Sequence, residues 1–235
     1  EAVPATCETS GLTEGKHCSR CNKILVRQTT ISPEHNFVDG ICTRCNTVEP
    51  NGLDFFTYTL LSDGTYAVSP IYPSYPTARL PQTIVIPESY EGIAVTQIGE
   101  KAFADLLIKH IVIPNGITSI GDYAFHNCKY LTSINIPDSV TKIGFGAFSG
   151  CGSLTSVTIP AKVSDIDSFT FGNCKSMEEI KVSENNEKYV GINNCLIEKR
   201  TKKLVWGCKN SVIPNDGSVI KIAYAAFKDC SGLTS

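Results

Sequence analysis

Five of the eleven cysteines fall within the first fifty residues: Cys7, Cys18, Cys21, Cys42 and Cys45, in company with His17 and His35. Cys18-x2-Cys21 and Cys42-x2-Cys45 are separated by twenty residues. Each pair can present two thiolates to one side of a tetrahedral ion, so the spacing suits structural zinc. A site closed by four protein ligands leaves no position for substrate. No H-x-E or H-E-x-x-H element supplies a base, so catalytic zinc is not expected. Disulfides and free thiols are the alternatives, and an odd number of cysteines would leave one over from any set of disulfides. The stretch is too short and too poor in aliphatic residues to fold on a core of its own, so a cross-link of some kind is expected.

Four of the six remaining cysteines belong to a different pattern. Ile120 to Lys142 reads IGDYAFHNCKYLTSINIPDSVTK and Ile143 to Asp165 reads IGFGAFSGCGSLTSVTIPAKVSD, and Ile166 opens a third line at the same 23-residue step. A fixed period of this size signals a solenoid, in which each unit buries its apolar face only by stacking on its neighbours. Within a unit, the alternation Leu131-x-x-Ile134-x-Ile136 predicts a short strand facing the interior. Pro137 has no N–H to donate and should end it. Val140 and Ile143 then return to the core, and the Ala147-Phe148 segment predicts a short turn or 3₁₀/helical piece on the opposite side.

Cys128, Cys151, Cys174 and Cys230 each follow a Phe by three residues, whereas the first unit, at Ile98, has Leu106 in that place. The Leu exchange argues for apolar packing and free buried thiols. Stacked equivalent positions rarely meet disulfide geometry.

These lines, with the degenerate IDSFTF–C–MEEIKV and the final IAYAAF–C–LTS, resemble BspA-like leucine-rich repeats over about residues 80 to 235. The resemblance implies a leucine-rich-repeat solenoid of parallel strands with a concave strand face used for recognition, on a secreted or surface-anchored bacterial protein. The segment ATCETSGLTEGKHCSRCNKILV resembles a small module common near such repeats in surface proteins. That likeness implies Cys7, Cys18, Cys21 and His35 as an alternative ligand set, with Cys42 and Cys45 as an extra pair.

The chain therefore divides into a Cys-rich, zinc-ribbon-like module over 1–50, a β-hairpin cap over 51–82 and repeats over 83–235. In FFTYTLLSDGTYAVSPIYP two alternating runs flank Asp63-Gly64, a hairpin signal. Ile222 stands 56 residues after Ile166, an excess of 33 over one period. Part of that excess, at about 189–213, carries apolar Cys195–Glu198 and Leu204–Trp206 around the basic Lys199–Lys203. This predicts an inserted hairpin with its tip in water, and Cys195 and Cys208 are candidates for a disulfide across it. The Ile166 unit departs most from the pattern, with Asp167 for Gly and Thr170 for Ala.

Outward strand positions carry recognition in such a fold: His110, Val112, Ser133, Asn135, Ser156, Thr158, Glu179 and Lys181. The row is small and polar. It suits either a solvated sheet face or a binding patch, although hot spots favour Trp, Tyr and Arg. With 21 basic and 23 acidic residues the net charge is −2, which provides no attraction for nucleic acid or an anionic membrane. No apolar run is long enough to span a bilayer. There is no G-x-S-x-G, P-loop or dinucleotide fingerprint. A start without Met and a stop inside a half-repeat predict a piece of a longer protein. The expectation is a monomeric, non-enzymatic binding or adhesion module recognising a host protein, matrix or glycan. The alternative is a spacer displaying other domains.

Overall fold

The computed structural model describes residues 56–70, 83–228 and 230, together with the backbone of six short strands between residues 11 and 42. The chain forms two compact units, 1–52 and 53–235. In the first, Gly11–Leu12 pairs with Thr30–Ile31, Lys16–His17 with Ile24–Val26, and Phe37–Val38 with Ile41–Cys42, all antiparallel. Cys7, Cys18, Cys21, His35 and Cys45 lie outside the described residues, and Cys42 is described by its backbone alone.

The second unit is a stack of coils. Phe56–Leu60 and Tyr66–Pro70 form an antiparallel hairpin across the Asp63-Gly64 turn, where Asp63 Oδ1 accepts the Thr65 N–H at 3.0 Å. Tyr66–Pro70 then pairs in parallel with Ile93–Ile98, and the ladder continues through Ser119–Ile120 and Lys142–Ile143 to a bridge at Asp165. A second side of the coils carries Thr83–Val85 in parallel with His110–Val112, and Ser156–Ile159 in parallel with Glu179–Val182. Pro114, Pro137 and Pro160 follow this side, and the carbonyl of each accepts the N–H three residues on, which turns the chain toward the next side.

The third side carries the Ala-Phe segments, and of the two expectations there, a short turn or a 3₁₀/helical piece, the structure takes the turn. Among the described residues these segments are turns. The N–H groups of Ala124, His126 and Cys128 return to carbonyls three residues back, while those of Tyr123, Phe125 and Asn127 donate to Phe145, Ala147 and Ser149 of the next coil. A 3₁₀ helix needs consecutive negative φ. Instead Tyr123 and Asn127 have φ of 55° and 59°, as do Lys101 and Asp105 one coil earlier at 52° and 62°. Alternate N–H groups are thereby turned outward, so the side becomes a coil-to-coil ladder. The close approach requires Gly in the Ile-Gly pair: a Cβ on Gly121 would lie 2.7 Å from the backbone of Gly99 and Glu100.

One ring per coil fills the centre. Phe103, Phe125, Phe148 and Phe171 are at most 1% exposed and stack with centroids 5.3, 5.2 and 5.5 Å apart and planes within 6°. Trp206 caps the stack 5.2 Å from Phe171. Truncating one such ring to Ala costs roughly 3–5 kcal/mol. Cys128, Cys151 and Cys174 run alongside as buried free thiols. Their Sγ–H groups donate to the carbonyls of Phe103, Phe125 and Phe148 at 3.0, 3.2 and 3.2 Å.

Two expectations change. No strand forms over Leu131–Ile136, although Leu131 and Ile136 are buried; Ile134 is only half-buried. Ser133 and Asn135 hold the outward positions there, and Asn is disfavoured in strands. Cys195 and Cys208 are not bridged. Cys195 lies opposite Gly207 in the antiparallel register, so Cys208 is offset by one position and does not face it. The insert holds three antiparallel strands, Tyr189–Ile192, Cys195–Glu198 and Lys203–Gly207, the first two joined by Asn193-Asn194 at φ 49° and 60°. The last of them pairs in parallel with Lys221–Ile222, returning the chain to the stack.

Candidate functional site

The outward strand row is placed by alternation. In the paired strands Ile111, Val157 and Ile180 turn into the core at 6, 2 and 4% exposure, which leaves the flanking residues on the outer face. His110 stands beside Thr83 and Val112 beside Val85. Further along the stack Ser156 stands beside Glu179 and Thr158 beside Lys181. Between these two pairs Ser133 and Asn135 are exposed, but outside a strand. The structure thus brings Ser156, Thr158, Glu179 and Lys181 together on one sheet and sets His110 on another.

Lys181 Nζ pairs with Glu179 at 2.8 Å, with both side chains about half exposed, where an ion pair contributes little to stability. The His110 side chain is exposed and makes no hydrogen bond among the described residues. Among the described residues no cluster of three or more His, Cys, Asp or Glu is arranged to hold a metal ion.

Two features were not singled out from the sequence. A cleft of about 850 Å³ lies between the Lys162–Ser164 corner, the Glu187-Lys188 segment and the hairpin residues Glu198 and Arg200. Its walls carry both signs of charge, and Lys188 Nζ is committed to the Ser164 carbonyl at 2.6 Å. Elements far apart in sequence form it, so no local motif announces it.

The second feature is an aromatic row on the turn side: Tyr123, Phe145, Phe169 and Tyr224, with centroids 5.4, 5.3 and 6.0 Å apart. The rings alternate between the third and fourth positions of the Ile-x-x-x-Ala-Phe line. Reading one column at a time hides such a row.

A family model for BspA-type leucine-rich-repeat regions matches six copies over residues 96–234. No curated protein matches the chain. Among solved structures, a leucine-rich repeat protein from Eubacterium ventriosum is 21% identical, with 77% of this chain and 56% of that one covered and a TM-score of 0.58. The pneumococcal vaccine antigen PcpA is 17% identical, with 77% and 67% covered and a TM-score of 0.51. A leucine-rich repeat protein from Bacteroides capillosus is 28% identical over 55% of this chain and 94% of that one, with a TM-score of 0.47.

Proposed function

The chain belongs to the BspA-type leucine-rich-repeat family, and from that we propose that it is a non-catalytic binding module of a secreted or cell-surface bacterial protein. It meets a host protein, matrix or glycan partner through its strand face. The observation that carries this reading is the outer-face row Ser156, Thr158, Glu179 and Lys181, in which Thr158 and Lys181 are exposed and Ser156 and Glu179 half-buried, held at fixed strand spacing by buried neighbours. A rigid scaffold that presents side chains at regular intervals lowers the ordering cost of binding. Such a module needs no partner copy to complete its face and acts as a monomer. With a net charge of −2, nucleic acid is not among its partners.

The first unit is held by a structural zinc ion bound by Cys18, Cys21, Cys42 and Cys45, with Cys7 and His35 as alternative ligands. In support, Cys18 directly follows the strand Lys16–His17 and Cys42 ends the strand Ile41–Cys42. Each Cys-x2-Cys therefore adjoins a two-stranded ribbon, and thiolates are the donors zinc prefers.

The test is a binding screen of the whole chain against immobilised extracellular-matrix proteins and mucins at physiological salt. Saturable binding that is lost on charge reversal at Glu179 and Lys181, or in Asn135→Ala and Thr158→Ala, is the expected result. Absence of saturable binding at micromolar concentrations would overturn this reading and leave the spacer role.

A further inference from the structure

Among the described residues, three dipeptides set a side-chain carbonyl next to a glycine nitrogen: Asp63-Gly64, Asn115-Gly116 and Asp216-Gly217. Glycine has no Cβ to shield its nitrogen, so the nitrogen of such a pair can approach the side-chain carbonyl carbon and close a succinimide ring.

The three pairs are not equivalent. Asp63 Oδ1 accepts the N–H and the hydroxyl of Thr65 at 3.0 and 2.7 Å, and Asp216 Oδ1 accepts the N–H of Ser218 at 2.9 Å. These bonds tie each carboxyl to the residue two places on, away from the glycine nitrogen. Hydrogen bonds from Thr65 and from Ser218 also hold the two carboxyls below the ordinary carboxylate range. An ionised carboxylate repels a nucleophile and has no good leaving group. Gly64 and Gly217 are further fixed at left-handed φ of 80° and 81°.

Asn115 has none of these restraints. With Gly116 it forms the exposed corner between the strands His110–Val112 and Ser119–Ile120. Its side-chain amide is uncharged and makes no hydrogen bond among the described residues. The Gly116 N–H has no backbone acceptor, and Gly116 does not take a left-handed φ. The space around Gly116 is open: a Cβ there would meet the Val95 carbonyl at 3.5 Å and nothing closer. One backbone bond closes the corner, from the Ile117 N–H to the Pro114 carbonyl at 3.1 Å. Opening a single surface bond needs less free energy than unfolding the coils. Every other described asparagine precedes a residue that carries a Cβ.

We propose that Asn115 is a site of spontaneous covalent modification. The Gly116 nitrogen loses its proton to base and forms a C–N bond to the Asn115 side-chain carbonyl carbon, while the bond from that carbon to the side-chain nitrogen breaks and ammonia leaves. Water then opens the succinimide at either carbonyl, giving aspartate or isoaspartate. No oxidant or cofactor takes part. Each event makes the chain, at −2, one charge more negative just beyond the strand His110–Val112. The site does not depend on what the strand face binds.

The corner does not receive the two products equally. Asp138 holds the equivalent place one coil on, exposed after Pro137, and there the Val140 N–H makes the same bond to the Pro137 carbonyl at 3.0 Å. Aspartate is therefore already a residue of this corner. Isoaspartate routes the main chain through the side chain and adds a methylene between Pro114 and Ile117, both of them buried.

Incubation of the whole chain at mildly alkaline pH tests the proposal, read by mass-spectrometric peptide mapping and by methylation with an isoaspartyl methyltransferase. Asn115 should show the amide-to-acid mass change before any other described asparagine, with both products present. Gly116→Ala should suppress the change, and the contact at 3.5 Å leaves room for its methyl group. Asp63-Gly64 and Asp216-Gly217 should isomerise in urea but not in the native protein. The isoaspartate fraction, separated chromatographically, should have a lower urea midpoint than the parent, whereas Asn115→Asp should keep the parent's midpoint.

The proposal is overturned if Asn115 keeps its amide in the native protein and converts only in urea. It is also overturned if Gly116→Ala deamidates as fast as the parent, or if either Asp-Gly pair isomerises natively as fast as Asn115 converts. Equal midpoints for the isoaspartate fraction and Asn115→Asp would overturn the difference assigned to the two products.

Discussion

Asn186 Nδ2 donates to the carbonyl of Pro160 at 2.7 Å, joining positions 26 residues apart. The same amide nitrogen reaches the Val163 carbonyl at 2.9 Å, and Asn186 Oδ1 accepts the N–H groups of Lys188 at 3.0 Å and Tyr189 at 2.7 Å. The side chain is wholly buried, and both its donors and its acceptor are engaged. It ties the last regular coil to the start of the insert. Leaving buried groups unsatisfied costs about 1–3 kcal/mol each. Asn186→Ala should therefore lower the stability of the repeat unit by roughly 3 kcal/mol or more, read as a shift in the urea midpoint. An unchanged midpoint would show that water replaces the amide at no cost.

The irregular third line has its own internal logic. Thr170 is completely buried at the position usually held by Ala, and its hydroxyl donates to Asp167 Oδ2 at 3.0 Å; Asp167 in turn stands where the pattern has Gly. The two departures satisfy one another. Thr170→Ala alone should destabilise the protein by about 1–2 kcal/mol. A double-mutant cycle with Asp167→Asn should give a coupling of about 0.5–2 kcal/mol. Additive effects would mean that the pair is not an interacting unit.

Alkaline pH should loosen the coil stack. The Cys128 thiol is pushed well above its ordinary 9.0 by the adjacent Cys151 thiol and by burial, and that of Cys174 by burial and then Cys151. Burial raises Tyr58, with Tyr90 adding to the effect, and raises Tyr189; both are pushed up to about 12. An acid whose pKa is higher folded than unfolded loses its proton more easily unfolded. Its stabilisation is complete below the unfolded value and declines as pH rises toward the folded one. Stability should therefore be insensitive to these groups up to about pH 8 and fall above about pH 9. A near-ultraviolet titration should show at least two of the nine tyrosines ionising late. A thiol reagent should leave Cys128, Cys151 and Cys174 untouched until denaturant is added; rapid labelling in the native protein would contradict the buried ladder.

Metal removal separates the two units. If zinc holds residues 1–50, a strong chelator should abolish their structure while the repeat unit keeps its melting transition. Metal analysis of the untreated protein should find about one zinc per chain. If a reductant alone has that effect, disulfides hold the segment instead.

The repeat register was legible because a recurring 23-residue step places Ile and Phe at equivalent points of successive lines, and each deviation, such as Thr170 for Ala, stands out against the next line. Stacking imposes that regularity directly on the residue types. What was not legible depends on contacts between lines. The Ala-Phe segments become turns because left-handed residues free alternate N–H groups for the next coil, a choice made by backbone pairing and not by composition. Ser133 and Asn135 look outward in the pattern but leave the strand. Asn186 reads as one polar residue among Ser183-Glu-Asn-Asn-Glu187, and only the fold shows which carbonyls it reaches. The aromatic row is dispersed over two columns and emerges only when the coils are laid side by side.

The single tryptophan occupies the end of the central ring stack, 2% exposed against Phe171. Nature has thereby placed a fluorophore at the junction between regular coils and inserted strands. Its emission reports on that end of the molecule, whereas far-ultraviolet dichroism averages over every strand. Superimposable melting curves from the two signals would mean that the array unravels as one body; an earlier fluorescence transition would mean that it peels from the inserted strands inward.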